Sequence, residues 1–147
     1  MIELLIFLGL LAIGYSVGSL LERRHFEDLA QREQQTQGVM LLNIGAKPPL
    51  PPAQAAQLFM GSVVISSDYF KTFLALLFNL MGGRIESYET LLERGRREAL
   101  LRMKEEAIAW GATQVINVRL ETASLGDQSG QSGLVALEVI AYGTGIR

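Results

Sequence analysis

The side chains that carry nucleophilic or metal chemistry are scarce in this chain. Its 147 residues include no cysteine and a single histidine, His25, which lies close to the end of a long apolar run. A Ser-His-Asp triad or a Cys-His pair therefore cannot form in the rest of the chain. Zinc and copper sites built from imidazole and thiolate are excluded for the same reason. We expect a protein that is not an enzyme and that carries no cofactor and no metal site.

One short segment has the residue types for binding an anion. Gly82, Gly83 and Arg84 directly precede a predicted helix that begins near Ile85. Backbone N–H groups at a helix N-terminus attract negative charge, and a neighbouring guanidinium adds to the attraction. These three residues are the candidate site if the chain binds a small ligand.

Length and charge limit the remaining function classes. The chain fits one small domain with an appendage, which excludes a multidomain enzyme. There are 13 basic and 15 acidic residues, a net charge of -2, and a pI near 5.4. No basic excess is available to neutralise phosphates, so nucleic acid is not an expected partner.

Residues 4–21 form an apolar run of eighteen residues without a charge. This length lies in the lower part of the range for a membrane-spanning helix, about 17–25 residues. The principal alternative is a cleaved signal peptide. Glu3 in place of a basic residue, and the lack of an A-x-A-like site, both argue against it. The sequence predicts a retained transmembrane anchor over residues 1–22, with the lipid bilayer as a partner.

The flanks of this run predict its orientation. Arg23, Arg24 and Arg32 follow it, whereas Glu3 is the only charged side chain before it. Basic flanks stay cytoplasmic, so we expect a single-pass protein of the bacterial inner membrane with its N-terminus outside. Gly14 and Gly18 form a G-x-x-x-G spacing that allows close packing of two membrane helices. The alternative is that glycine is simply common in membrane helices.

The remaining chain divides into a polar stalk and a soluble domain. Residues 23–37 are rich in helix formers and predict a juxtamembrane helix that stops at Gly38. Residues 38–147 form the domain. All four prolines, Pro48, Pro49, Pro51 and Pro52, fall between its first two predicted strands. We interpret them as a rigid connection, with a polyproline ligand as the weaker alternative.

Hydrophobic periodicity predicts the elements of this domain. Strands are expected at residues 38–45, 58–66, 113–122 and 134–142, and a long helix at residues 85–110 that Gly111 ends. Ile85, Tyr88, Leu92, Ala99, Met103 and Ala107 form its core stripe. Its other face is charged and predicted to be solvated, with pairs Glu93–Arg97 and Glu98–Arg102. A further helix at residues 69–81 completes an α+β fold in the order β-β-α-α-β-β, with an antiparallel sheet.

Residues 69–81 have a composition that a small domain cannot bury alone. Ten of the thirteen are apolar, and Lys71 is the one charge. A helix that is apolar all round must be covered on all sides, yet this one is too short to span a bilayer. It therefore lies at a subunit interface, which we favour, or at the membrane surface. The interface residues would be Tyr69, Phe70, Phe73, Leu74, Leu77, Phe78 and Met81.

From Gly38 onwards the chain resembles the YbjQ-like family. The resemblance rests on MGGRIESYETLLERGRREALLRMKEEAIAWGATQVINVRLET and on ALEVIAYGTGI near the C-terminus. It implies small α+β subunits that assemble into homo-oligomeric rings, typically pentamers. The family is described as heavy-metal-binding, although the matched part of this chain has no Cys and no His, the ligands that heavy metals prefer.

These observations predict a membrane-anchored, ring-forming protein without catalysis, acting as a scaffold or an envelope-associated assembly. The alternative is a module that binds a metal ion or a small ligand between subunits, near Gly82 and Gly83.

Overall fold

The computed structural model describes residues 2–45, 49, 51–66, 86–125 and 136–147. Gly82, Gly83, Arg84 and the predicted helix at residues 69–81 lie outside this part of the chain. The elements are α1 (Ile2–Gln35), β1 (Met40–Leu42), β2 (Ala56–Ser66), α2 (Glu86–Trp110), β3 (Gln114–Leu125) and β4 (Ala136–Ile146).

Helix α1 is one uninterrupted helix of 34 residues, as expected for an apolar run that continues into a polar stalk. Its first twenty residues are exposed along most of their length, including Leu5, Phe7 and Leu10. Ser16 Oγ donates a hydrogen bond of 2.8 Å to the carbonyl of Ala12, which satisfies a hydroxyl in an apolar stretch. Among the described residues, α1 alone is long and apolar enough to cross a membrane, judged by length and composition only.

The four strands form one sheet in the order β1-β3-β4-β2, and this sheet is mixed. The β3–β4 and β2–β4 pairs are antiparallel, but Met40–Leu42 pairs in parallel with β3. The prediction of a wholly antiparallel sheet is therefore wrong. Its cause is the connection between β1 and β2, which joins opposite edges of the sheet instead of forming a hairpin.

Helix α2 covers one face of this sheet, and its predicted core stripe is confirmed where the structure describes it. Ala99, Met103 and Ala107 are fully buried. A Cβ at Gly61 would overlap the carbonyl oxygen of Ala99 and come within 2.5 Å of the Met103 backbone nitrogen. Glycine in β2 thus lets the helix backbone approach the strand closely.

The ends of α2 and β4 test two further predictions. Gly111 has φ +93 and follows the last residue of α2, so the predicted glycine cap is confirmed. Strand β4 continues to Ile146 instead of ending near Tyr142, since Gly143 packs within the sheet. A Cβ there would lie 2.8 Å from Val115 Cγ1.

Strand β3 does not alternate strictly. Its register with β4 shifts between Ile116 and Arg119, and Asn117 has φ 54. Such a bulge places two residues of one strand opposite one residue of its partner, here Asn117 and Val118 opposite Gly143. Val115 and Ile116, which precede the shift, are both buried.

Candidate functional site

The charged face of α2 is covered by the C-terminal part of α1. Arg32 donates two parallel hydrogen bonds to Glu105, from Nε to Oε1 at 2.9 Å and from Nη2 to Oε2 at 2.8 Å. Its Nη1 also donates to Oε2 of Glu98 at 3.1 Å. The Glu98 side chain is only 6% exposed, so Arg32 neutralises a carboxylate that has left water. The prediction that this helix face is solvated is wrong for Arg97, Glu98 and Glu105, whereas Glu93, Arg96, Arg102 and Glu106 are exposed as predicted.

A second arginine binds in the opposite direction, from α2 to α1. Arg97 donates from Nε and Nη2 to the two carboxylate oxygens of Glu33, at 2.8 and 2.7 Å. Its guanidinium also lies 5.8 Å from the ring centroid of Phe26. The predicted Glu98–Arg102 pair is present at 2.6 Å, whereas the fork of Arg97 is directed to Glu33 instead of the predicted Glu93. We call Arg32, Glu33, Arg97, Glu98, Arg102 and Glu105 the α1–α2 ion-pair network.

The hydrogen bonds of the α1–α2 ion-pair network keep Glu33 and Glu105 ionised. Hydrogen bonds from Arg97 lower the pKa of Glu33, and those from Arg32 lower the pKa of Glu105. The same bonds raise the pKa values of the two arginines. Carboxylates stabilised in this way are poor proton donors and acceptors near neutral pH. The network is therefore suited to fastening two helices together and not to acid–base catalysis.

A small cavity of about 150 Å³ lies beside this network. Lys104 contributes an ammonium group, and burial lowers its pKa, partly offset by the nearby carboxylate of Glu33. Leu41, Leu100 and Leu101 form apolar walls. We call this space the Lys104 cavity. Its size suits a few heavy atoms, such as a small carboxylate, and is too small for a nucleotide.

The opposite face of the sheet, which α2 does not cover, carries exposed apolar side chains. Leu58, Met60 and Val64 of β2 are 65, 57 and 58% exposed. In the β2–β4 register Met60 is opposite Tyr142, and both point away from α2. Ile140, two residues before Tyr142, adds apolar surface on the same side. We call these five residues the outer sheet face.

The structure brings together few of the residues singled out from the sequence. A Cβ added to Gly14 would meet nothing within 4 Å, so this surface of α1 is open. Gly18 is partly covered. Gly82, Gly83, Arg84 and the seven interface residues between Tyr69 and Met81 lie outside the described residues. Within the described ranges, no group of three or more His, Asp or Glu side chains is placed to hold a metal ion.

Sequence reasoning missed the α1–α2 ion-pair network. The signal was the mixed charge of the stalk, where Arg32 and Glu33 are adjacent, against a similarly mixed face of α2. Two neutral but densely charged helix faces are complementary when placed side by side.

Comparison with known proteins identifies the family. The model of the YbjQ family, described as "Putative heavy-metal-binding", matches residues 51–147, about two thirds of the chain. The chain belongs to the YbjQ family. Within it, a UPF0145 protein of Hahella chejuensis is 36% identical over 108 residues, covering 74% of this chain and 97% of that protein. A UPF0145 protein of Archaeoglobus fulgidus is 38% identical over 101 residues, covering 67% and 87%.

One crystal structure is also similar to this YbjQ-family chain. It is a protein of unknown function from Pediococcus pentosaceus that belongs to the DUF74 family. The similarity covers 75% of this chain and 97% of that one, with a TM-score of 0.44 and 13% identity.

The residues of this YbjQ-family chain do not fit a heavy-metal centre. Soft metal ions select thiolates, and intermediate ones select imidazoles. The chain has no cysteine, and its one histidine lies on α1, where Nδ1 is buried without a hydrogen-bond partner. A lone imidazole cannot form a closed site.

Proposed function

We propose that this protein is a membrane-anchored, non-catalytic subunit of a homo-oligomeric ring, acting as a scaffold. In this proposal residues 2–21 span the inner membrane with the N-terminus outside, and the YbjQ domain lies in the cytoplasm. The observation that carries the proposal is the outer sheet face. A sheet with apolar side chains on both faces needs a covering layer on each face. Helix α2 covers one face only, so the outer sheet face supports an assembly in which another subunit covers it.

A second copy of the chain is the occupant that best suits the outer sheet face. Leu58, Met60 and Val64 form an apolar row along β2, which is an edge strand. Long, exposed, apolar edge strands pair with other chains unless something covers them. Tyr142 adds a ring with a polar tip, a residue type enriched at protein interfaces. Repeated contacts between one such face and another part of the next subunit generate a ring when the rotation between neighbouring subunits closes.

Substitution on this face tests the assembly. Full-length Met60→Glu and Val64→Glu variants are purified in mild detergent beside Ala109→Glu, which adds the same charge at an exposed position of α2. The proposal predicts smaller particles for the two β2 variants, with helical content unchanged, and wild-type particles for Ala109→Glu. Wild-type size in both β2 variants would contradict the assignment of this face to the interface.

Membrane extraction tests the anchor. A spanning helix stays with the bilayer at alkaline pH, whereas a peripheral protein is released. We expect the full chain in the membrane pellet after carbonate treatment. A Leu8→Arg, Leu10→Arg double variant, charged in the middle of the span, should shift to the supernatant. Release of the unaltered chain would refute the anchor.

The Lys104 cavity favours a second candidate function, binding of a small anionic ligand. Lys104 shares the cavity lining with three leucines, Glu33 and Arg97, and a small carboxylate bound there would add a further negative partner for its charge. A panel of small carboxylates and phosphates tests this idea by thermal shift. Stabilisation that disappears in Lys104→Met would support binding there, and no shift with any member would count against it.

A further inference from the structure

Helices α1 and α2 run side by side in the same direction. Near the start of α2, Thr90 lines an open cleft together with Ser19, Glu22 and Phe26 of α1. Further along both helices, Arg97 bonds Glu33 and Arg32 bonds Glu105. The cleft and these hydrogen bonds follow one another in the same order from Ser19 to Glu33 in α1 and from Thr90 to Glu105 in α2, so the two axes stay together over about fourteen residues, or about 21 Å.

This pairing places the start of α2 at the end of the apolar run. Glu33 lies twelve residues after Leu21, which is about 18 Å along α1. Arg97 lies eleven residues after Glu86, which is about 16 Å along α2. Because Glu33 and Arg97 are at the same level, Glu86 lies within a few ångströms of the level of Leu21, the last apolar residue of the run.

Three strand ends lie on the same side of the domain, about 10 Å beyond this level. A Cβ at Gly95 of α2 would be 3.5 Å from Ile65 Cδ1 and 2.8 Å from Val139 Cγ2, so β2 and β4 cross the helix there. One residue beyond Ile65, Ser66 ends β2 and is paired with Ala136, which is paired in turn with Leu125 at the end of β3. We call Ser66, Glu86, Leu125 and Ala136 the Glu86 end of the domain. The opposite end carries Trp110 and the C-terminal Arg147.

We infer that the Glu86 end of the domain faces the bilayer, with the start of α2 in the layer of lipid headgroups and the strand ends just outside it. The inference rests on the proposed membrane anchor, because α1 sets the level of the membrane surface. A headgroup layer is about 5–8 Å thick on each side of the hydrocarbon core. Glu86 falls at its inner boundary. Gly95 is nine residues further on, about 14 Å, and Ser66 lies one strand residue nearer, so the strand ends lie just outside the layer on its aqueous side.

One further observation agrees with a lipid partner. In sequence, the chain that leaves this end after Ser66 and returns at Glu86 includes residues 69–81, ten of which are apolar.

The chain has no cysteine, so single-cysteine labelling can test this placement. Full-length Glu89→Cys and Ala109→Cys carry an environment-sensitive fluorophore at exposed positions of the same helix, twenty residues or about 30 Å apart. Leu8→Cys reports on the anchor. Each labelled protein is placed in nanodiscs containing lipids with a nitroxide on the headgroup or in the middle of the acyl chain.

We expect the mid-chain nitroxide to quench Leu8→Cys and the headgroup nitroxide to quench Glu89→Cys several-fold more than Ala109→Cys. Equal quenching of the two α2 labels, with Leu8→Cys still quenched, would overturn the inference and leave the anchor intact. Loss of Leu8→Cys quenching would refute the anchor itself. Ser66→Cys against Gln54→Cys, at the two ends of the strand layer, repeats the comparison if Glu89→Cys fails to fold.

Discussion

Arg32 of α1 and Glu105 of α2 are joined by two parallel hydrogen bonds of 2.9 and 2.8 Å. Such bidentate pairs fix both the distance and the orientation of the groups they join. Helix α1 lies outside the part of the chain that the YbjQ family model matches, residues 51–147. The α1–α2 ion-pair network therefore fastens an additional helix to the family domain and fixes the position of α1 along the axis of α2.

Arg32 should be the most sensitive member of the network. Arg32→Met leaves Glu98, whose side chain is 6% exposed, with Arg102 as its remaining described partner. We expect a loss of about 2–3 kcal/mol in the free energy of unfolding, somewhat less than for a buried charge left wholly unpaired. Denaturant titration of the full chain in detergent measures it. Arg96→Met, at an exposed position of α2, is the control, and an equal loss in both variants would contradict the role of Arg32.

The lowered pKa values of Glu33 and Glu105 predict an acid-labile contact. Both are held below the ordinary value of 4.5, so their stabilisation is present above that pH and is lost as pH falls through the lower folded-state pKa values. We expect the melting temperature to fall on acidification below about pH 4.5. A Glu33→Gln, Glu105→Gln variant should melt lower at neutral pH and show a weaker fall on acidification. Parallel curves for both proteins would refute this prediction.

Lys104 should destabilise the ligand-free protein. Burial lowers its pKa below the ordinary value of 10.5, so at neutral pH the folded state holds this charge at a cost in free energy. The cost falls as pH rises above the folded-state pKa and is absent above 10.5. Lys104→Met fills a similar volume without the charge. We expect its melting temperature to rise by about 2–4 °C, equivalent to about 0.5 kcal/mol in a domain of this size. A lower melting temperature than wild type would show that the ammonium group has a stabilising partner.

Gly61 should not tolerate a side chain. A Cβ there overlaps the Ala99 carbonyl and forces α2 away from the sheet. We expect Gly61→Ala to lose about 3 kcal/mol, the upper part of the range for overpacked cores. Gly38→Ala is the matched control, since its added methyl group would meet nothing within 4 Å. Circular dichroism melts of both variants provide the comparison, and a neutral Gly61→Ala would contradict the close approach.

Local patterns in the sequence predicted the elements, and their failures have identifiable physical causes. Spacing of three and four residues identified the buried stripe of α2, and Gly111 marked its end because few other residues adopt φ +93. The parallel pairing of Met40–Leu42 was missed, since nothing local encodes which edge of the sheet a strand joins.

The candidate site was harder to predict because it consists of contacts between distant segments. Arg32 and Glu98 are 66 residues apart, and each was consistent with an ordinary solvated helix face. Likewise, Val63, Val64 and Ile65 indicated a strand without showing that Val64 would remain exposed beside Met60. The burial of Glu98 and the exposure of Val64 both depend on tertiary packing, which periodicity alone does not encode.

The proposed assembly of several copies of this chain has a mass that can be measured. The measurement is native mass spectrometry of the full-length protein, released from detergent micelles. We expect one species at an integer multiple, three or more, of 16.1 kDa, without additional stoichiometric mass. A species at 16.1 kDa alone would show a monomer and refute the proposed ring.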